Sequence, residues 1–208
     1  RPATKAVQID SDSCTGGGSF THTWDDADDS GTLTSGDTAS LAFNDCVEEG
    51  LRLSGTMALS NLAITGSAAT PSRSVGATFT FDRFRMSFDE GSAAVHGDMS
   101  LQAAISNFAP YTYDLSLNGR SLAVTEGSSQ ESLTAYNASV RVDSTAGTYA
   151  YGVAGTIAGS ALPAAITIAT PSLLTGTVGT YPSAGVVTAT ASDGTAARLT
   201  VDSATSVT

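Results

Sequence analysis

Between residues 77 and 88, Thr78, Thr80, Asp82, Arg83 and Arg85 interleave with Phe79, Phe81, Phe84, Met86 and Phe88. A period of two puts one set of side chains on each face of an extended strand, so one face is built for a core. The alternation slips by one residue at Asp82-Arg83, where an inserted β-bulge residue would bring the aromatic set back to its face. Further strand patterns run over 51–59, 93–105 and 111–117, and more follow to the end of the chain. Asp89-Glu90-Gly91, Asn118-Gly119, Ala146-Gly147 and Asp193-Gly194 punctuate them as turn signals. Helix formers are scarce, with Lys5 the only lysine and five Glu against fifteen Asp. No long stretch repeats its apolar residues at helical spacing. The expected fold is all-β, with antiparallel pairing in a β-sandwich or in one large curved sheet of hairpins. At 208 residues the expectation is a single all-β domain spanning 1–208.

Gly55-Thr56-Met57-Ala58-Leu59 is echoed by Gly97-Asp98-Met99-Ser100-Leu101 and more faintly by Gly155-Thr156-Ile157-Ala158-Gly159. Such an echo can mark a duplicated hairpin unit, and it also arises by chance in a chain this rich in Gly, Ala and Ser. Beyond Ala146 charged side chains almost vanish, apart from Asp193, Arg198 and Asp202. Pro163, Pro171 and Pro182 are expected at turns or edges there, because proline donates no hydrogen bond to an interior ladder.

The chain has two cysteines, Cys14 and Cys46, and they bracket a polar stretch. A disulfide between them would close a loop with little core of its own, worth ~3–4 kcal/mol by chain entropy. It implies an oxidising compartment, in keeping with a surface rich in Thr, Ser and Gly and nearly free of Lys. No run approaches the roughly 18 apolar residues of a membrane-spanning helix, and the chain lacks the aromatic girdles of a transmembrane barrel. Arg1-Pro2-Ala3-Thr4 has no hydrophobic signal core, so the chain as given is expected to be soluble, with a lipid anchor ahead of Arg1 left open.

Charge is concentrated in residues 10–49, which hold Asp10, Asp12, Asp25, Asp26, Asp28, Asp29, Asp37, Asp45, Glu48 and Glu49 with no Lys or Arg. This segment therefore supplies −10 of the formal net charge of −11, and the rest of the chain is almost neutral. A solvated acidic face is the plain explanation, but crowding the charge into one disulfide-bracketed segment raises self-repulsion that bound cations would relieve. Nucleic acid is excluded as a partner for such a surface.

Within the segment, Asp26-Ala27-Asp28-Asp29-Ser30-Gly31-Thr32-Leu33-Thr34-Ser35-Gly36-Asp37 aligns with a twelve-residue calcium loop. Asp26, Asp28 and Ser30 stand at positions 1, 3 and 5, Gly31 at the turn position 6, Thr32 offers its carbonyl at 7, and Asp37 closes the loop at 12. Calcium takes six to eight hard oxygens, and alternate side chains on a tightly curled backbone can aim several at one centre. In these residues the loop resembles those of EF-hand and dockerin-type proteins, which implies Ca2+ as the bound ion. It departs from them at Asp37, which is shorter than the expected Glu, and at its exit, where Ala39, Leu41 and Phe43 alternate as a strand does. The competing reading is an Asp/Gly turn whose carboxylates bond their own backbone. The stretch from Cys14 through Gly-Gly-Gly, Trp24 and the acidic loop to Phe43-Asn44-Asp45-Cys46 also resembles uncharacterised secreted or lipoprotein-like β-rich proteins of Gram-negative bacteria. That resemblance implies an extracytoplasmic location, in the periplasm, at the cell surface or secreted, and brings no activity.

Catalytic patterns are lacking. His22 and His96 fit neither a metal hydrolase nor a serine hydrolase motif and read as strand surface residues. Asp82, Asp89, Glu90, Asp98 and Asp114 are the candidates for a glycosidase carboxylate pair, although few clustered aromatics accompany them. Asn137-Ala138-Ser139 is a formal glycosylation sequon that reads as strand. The sequence therefore points away from an enzyme and toward a secreted or cell-envelope binding or structural β module of unknown partner, stiffened by calcium. The alternative is a periplasmic carrier of a hydrophobic ligand, drawn from Phe79, Phe81, Phe84, Met86, Phe88 and Met99. A carbohydrate-active enzyme is third.

Overall fold

The computed structural model describes residues 7–67, 69–89, 91–203 and 206–207. Glu90, the Arg1-Pro2-Ala3-Thr4 start and Lys5 lie outside the described residues. Every regular element among the described residues is a strand. The first are β1 (Val7–Ser13), β2 (Ser19–Asp25), β3 (Thr38–Glu48), β4 (Leu51–Thr65), β5 (Arg73–Phe88), β6 (Gly91–Ser106) and β7 (Thr112–Glu126). The rest are β8 (Ser129–Asp143), β9 (Thr148–Gly159), β10 (Ile166–Thr177), β11 (Ala184–Ala191), β12 (Ala196–Ser203) and β13 (Ser206–Val207). They form one sheet in which spatial order follows chain order from β1 to β13. The fold is therefore all-β, and of the two expected arrangements it is the single sheet of consecutive hairpins. No described helix is long and apolar enough to cross a membrane.

Contacts divide the chain into two compact units. The first comprises Arg1–Ile64, Gly76–Ser100 and Leu122–Gln130, and the second Thr65–Val75, Leu101–Ser121 and Glu131–Thr208. In the first, Phe20, His22 and Trp24 of β2 lie opposite Phe43, Leu41 and Ala39 of β3. Leu41 and Ala39 in turn face Met57 and Leu59 of β4. Phe43 stands opposite Gly55, and because that residue has no side chain the Phe43 ring reaches over β4 to Phe84, centroid to centroid 5.9 Å. Phe20 extends the cluster on one side at 6.1 Å from Phe43, and Phe81 on the other at 6.4 Å from Phe84. Phe81 and Phe84 are three residues apart, so they share a face only if one residue is inserted between them. Arg83, at φ 49°, takes the left-handed conformation and is that residue. The slip read from the sequence at Asp82-Arg83 is this bulge.

The same device recurs. A Cβ added to Gly55 would lie 2.2 Å from the Arg83 carbonyl oxygen, and one added to Gly18 would lie 2.1 Å from that of Asp45, also a left-handed residue. In the second unit the β8–β9 ladder slips between Thr134 and Asn137, with Ala135 at φ 47°. Gly155 faces that slip, its added Cβ meeting Tyr136 at 2.9 Å. Two members of the echoed pentapeptides, those that begin at Gly55 and Gly155, thus share a physical cause. Each opens on a glycine pressed against a bulge in the neighbouring strand, where no side chain fits.

Two sequence expectations are corrected. Asn118-Gly119 is no turn but lies inside the extended β7. Reversals at 107–111, where Asn107 has φ 70°, and at Gly127, with φ 57°, already fix both ends of that strand. The dipeptide makes a hairpin only where both residues take positive φ, and strand pairing overrides it here. Pro171 sits within β10, an interior strand, whereas Pro163 and Pro182 do fall in connections. The ladder to β11 shifts between Ala169 and Ser172, and that to β9 between Ile168 and Leu174, so no regular bond is lost for want of the proline N–H.

Candidate functional site

The acidic loop joins β2 to β3, and β3 leaves it as a strand from Thr38, as the alternation of Ala39, Leu41 and Phe43 implies. Its base is clamped. Cys14 and Cys46 form a disulfide with Cα atoms 5.4 Å apart. Around that bond the Gly-rich turn between β1 and β2 docks on the bulged end of β3, Gly16 donating to the Val47 carbonyl at 2.9 Å and Val47 to that of Gly17 at 2.9 Å. A side chain at Gly16 would run into Val47, its Cβ 2.6 Å from Cγ1, so glycine is required for this approach. Glu48 accepts from the Thr15 amide at 2.9 Å and from the Thr15 hydroxyl. These bonds, the hydroxyl first, hold its carboxyl below the usual carboxylate range.

The loop folds around its own carboxylates. Asp26 accepts from the Ser30 amide at 3.1 Å and from the Gly31 amide at 2.7 Å. Gly31 has φ 70°, which suits glycine at the turn position. Asp37 accepts from the Thr34 amide at 2.7 Å and the Ala27 amide at 2.8 Å. Those two bonds, Thr34 first, hold the Asp37 carboxyl below its ordinary value. Asp28 is lowered chiefly by its bond with the Ser30 side chain. Asp26 and Asp37 are buried, at 4% and 0% exposure, while Asp28 is exposed. One carboxylate oxygen of each of Asp26, Asp28 and Asp37 lies within 4.8 Å of the others, so Asp37 meets positions 1 and 3 despite its shorter side chain. Ser30 directs its hydroxyl to the Thr32 carbonyl at 2.9 Å, which ties these two expected ligands to each other.

Sequence reasoning missed what holds the loop in place. Ser35 reaches β4, its hydroxyl accepting from the Ile64 amide at 2.7 Å and donating to the Ile64 carbonyl at 2.9 Å. Gly36 donates to the Leu62 carbonyl at 2.8 Å. Asn61, at φ 52°, lies just before this contact in β4. The bonds from upstream amides to Asp37 run against the usual Asx pattern, in which Asp accepts from a residue two further on. No local motif announces them.

Elsewhere the candidate carboxylates lie beside bases or at the rim of a groove. Asp82 lies 3.4 Å from Arg83 and 3.6 Å from His96, and Asp114 lies 3.8 Å from Arg141. Asp89 borders a groove of about 360 Å³ with Glu49, Gly50, Leu51 and Phe88. Asn137 and Ser139 belong to β8. Phe81 and Phe84 pack ring to ring within the first unit, while Phe88 is half exposed. In the second unit a groove of about 450 Å³, unforeseen from the sequence, is lined by Arg141, Asp143, Tyr149, Thr175 and Ser183 among others. Tyr149 donates to the Thr180 carbonyl at 3.0 Å, and partial burial followed by the neighbouring Tyr151 raises its hydroxyl above the ordinary value. Comparison with protein-family models, with curated proteins and with solved structures finds no match for this chain.

Proposed function

We propose that the chain is a binding module of the extracytoplasmic space, whether periplasmic, surface-displayed or secreted, and that its acidic N-terminal segment is the recognition region. The observation that carries this reading is the disulfide-clamped segment itself, which gathers nearly all the net charge on β1 to β3 and one ordered loop. A calcium ion at Asp26, Asp28 and Asp37 stiffens that loop, with Ser30 and Thr32 beside it. Convergence of three carboxylates, two of them buried, in a segment without Lys or Arg supports the ion. The N–H bonds already made leave lone pairs on the carboxylates for it. The Cys14–Cys46 bond supports an oxidising compartment.

Two measurements test the reading. A ligand that binds only the folded chain raises its melting temperature in proportion to ln(1 + [L]/Kd). Millimolar calcium is expected to raise the melt and EDTA to lower it, with the effect gone in Asp26→Asn/Asp28→Asn; an unchanged melt removes the ion. Native mass spectrometry of freshly purified protein is expected to show no organic adduct. A stoichiometric copurified hydrophobe would replace the binding module with a carrier.

A further inference from the structure

The sheet has two ends, and they differ. At the far end β12 is covered by the two-residue β13, and the ladder between them is irregular between Val201 and Ser203. At the near end β1 pairs with β2 through seven consecutive partners, Val7↔Asp25 to Ser13↔Ser19, without a bulge. Among the described residues no strand covers its other side. All seven residues are exposed, Val7 at 52% and Ile9 at 64%. Natural edge strands are usually blunted by Pro, charged side chains, bulges or shortness. β1 has no Pro, no bulge and seven residues, and its only charges are Asp10 and Asp12, which repel an acidic or identical strand but not a cationic one.

From this edge we infer that β1 is a docking strand for an extended, cationic segment of another polypeptide, which adds to the sheet by main-chain hydrogen bonding. The inference rests on the binding-module reading and names the class of partner. Backbone N–H and C=O groups on an open edge recognise an extended chain whatever its sequence, and side chains at alternate positions select among sequences. The register puts Gln8, Asp10 and Asp12 on one face and Val7, Ile9, Ser11 and Ser13 on the other; Ser11 meets Thr21 there at 3.0 Å. Charge decides against a second copy of β1. Symmetric antiparallel pairing over all seven residues would set Asp10 directly against Asp10, and like charges placed opposite are destabilising. A complementary antiparallel partner carries Lys or Arg two residues apart, opposite Asp12 and Asp10. Apolar residues follow three and five positions after the first cation, opposite Ile9 and Val7. The remaining acids of residues 10–49 add long-range attraction for such a segment.

The probe is the peptide acetyl-Lys-Thr-Lys-Val-Thr-Val-Thr-amide, titrated into the whole oxidised chain in calcium-containing buffer of low ionic strength and followed by amide hydrogen exchange. Binding is expected to protect amides within 7–13. Two N-methylated versions of the peptide, each blocking one alternate set of amides, keep the charge but differ in which edge they disable. One is expected to lose binding and the other to retain it. Asp10→Lys/Asp12→Lys is expected to weaken the peptide on the order of tenfold and to favour its Glu-for-Lys counterpart. Both substitutions are on an exposed strand, and an unchanged melt shows that the variant folds. Equal binding of the two methylated peptides would reduce the effect to bulk electrostatics and overturn the proposal, as would no protection of 7–13. Neither result touches the calcium and mass-spectrometric tests, so failure of the docking strand and failure of the binding module are told apart.

Discussion

The acidic segment at 10–49 and the nearly neutral stretch beyond Ala146 are both antiparallel hairpins, yet they bury different chemistry. In the first, the buried side chains are Cys14, Asp26, Asp37 and Cys46. In the second they are Leu174, Val186 and Val201. One region is held by a covalent bond and by carboxylates that collect backbone N–H groups, the other by apolar contact. Order in the acidic region is therefore expected to depend on redox state and on pH, and order in the neutral region mainly on packing.

The disulfide gives the largest expected contrast. Cys14→Ala/Cys46→Ala is expected to cost ~3–4 kcal/mol, lowering the melting temperature by on the order of 10 °C. Hydrogen exchange should quicken across 7–48 and stay unchanged in β10 to β12; a uniform loss would break the comparison. Val186→Ala is next, at about 2 kcal/mol for a buried aliphatic side chain cut back. Calorimetry should give the same increment with and without reductant, and a redox-dependent cost would join the two regions into one unit of stability. Acid has the smallest effect, and it sharpens the contrast because each region has a carboxyl held low. The Thr195 amide and hydroxyl lower exposed Asp193 as Thr34 and Ala27 lower enclosed Asp37. A folded-state value below the unfolded one means stability that is present above the unfolded value, about 4, and lost as pH falls through the folded value. Melts from pH 6 downward should show Asp37→Asn flattening that decline more than Asp193→Asn, and equal flattening would deny the enclosed carboxylate its special place.

How far the site was legible follows from how local each cause is. Asp26, Asp28, Ser30 and Gly31 are close neighbours in sequence, and their spacing foretold a tight loop. The joining of Asp37 to Asp26 and Asp28 depends on Ser35 and Gly36 docking on Ile64 and Leu62, residues nearly thirty positions away. The competing Asp/Gly-turn reading was right about the hydrogen bonds, since these carboxylates do bond their own loop, and the same folding brings their oxygens together.

The sequence by itself determined the strand class, the cysteine pairing, the bulge at Arg83 and the turns at Ala146-Gly147 and Asp193-Gly194. Each of these follows from periodicity, from φ preference or from there being just two thiols. Only the tertiary structure decided that the hairpins form one sheet in chain order, that Asn118-Gly119 and Pro171 lie within strands, and that Gly55 and Gly155 each face a bulge. Register joins residues far apart in the chain, and a glycine's reason for being there is the backbone of the strand beside it.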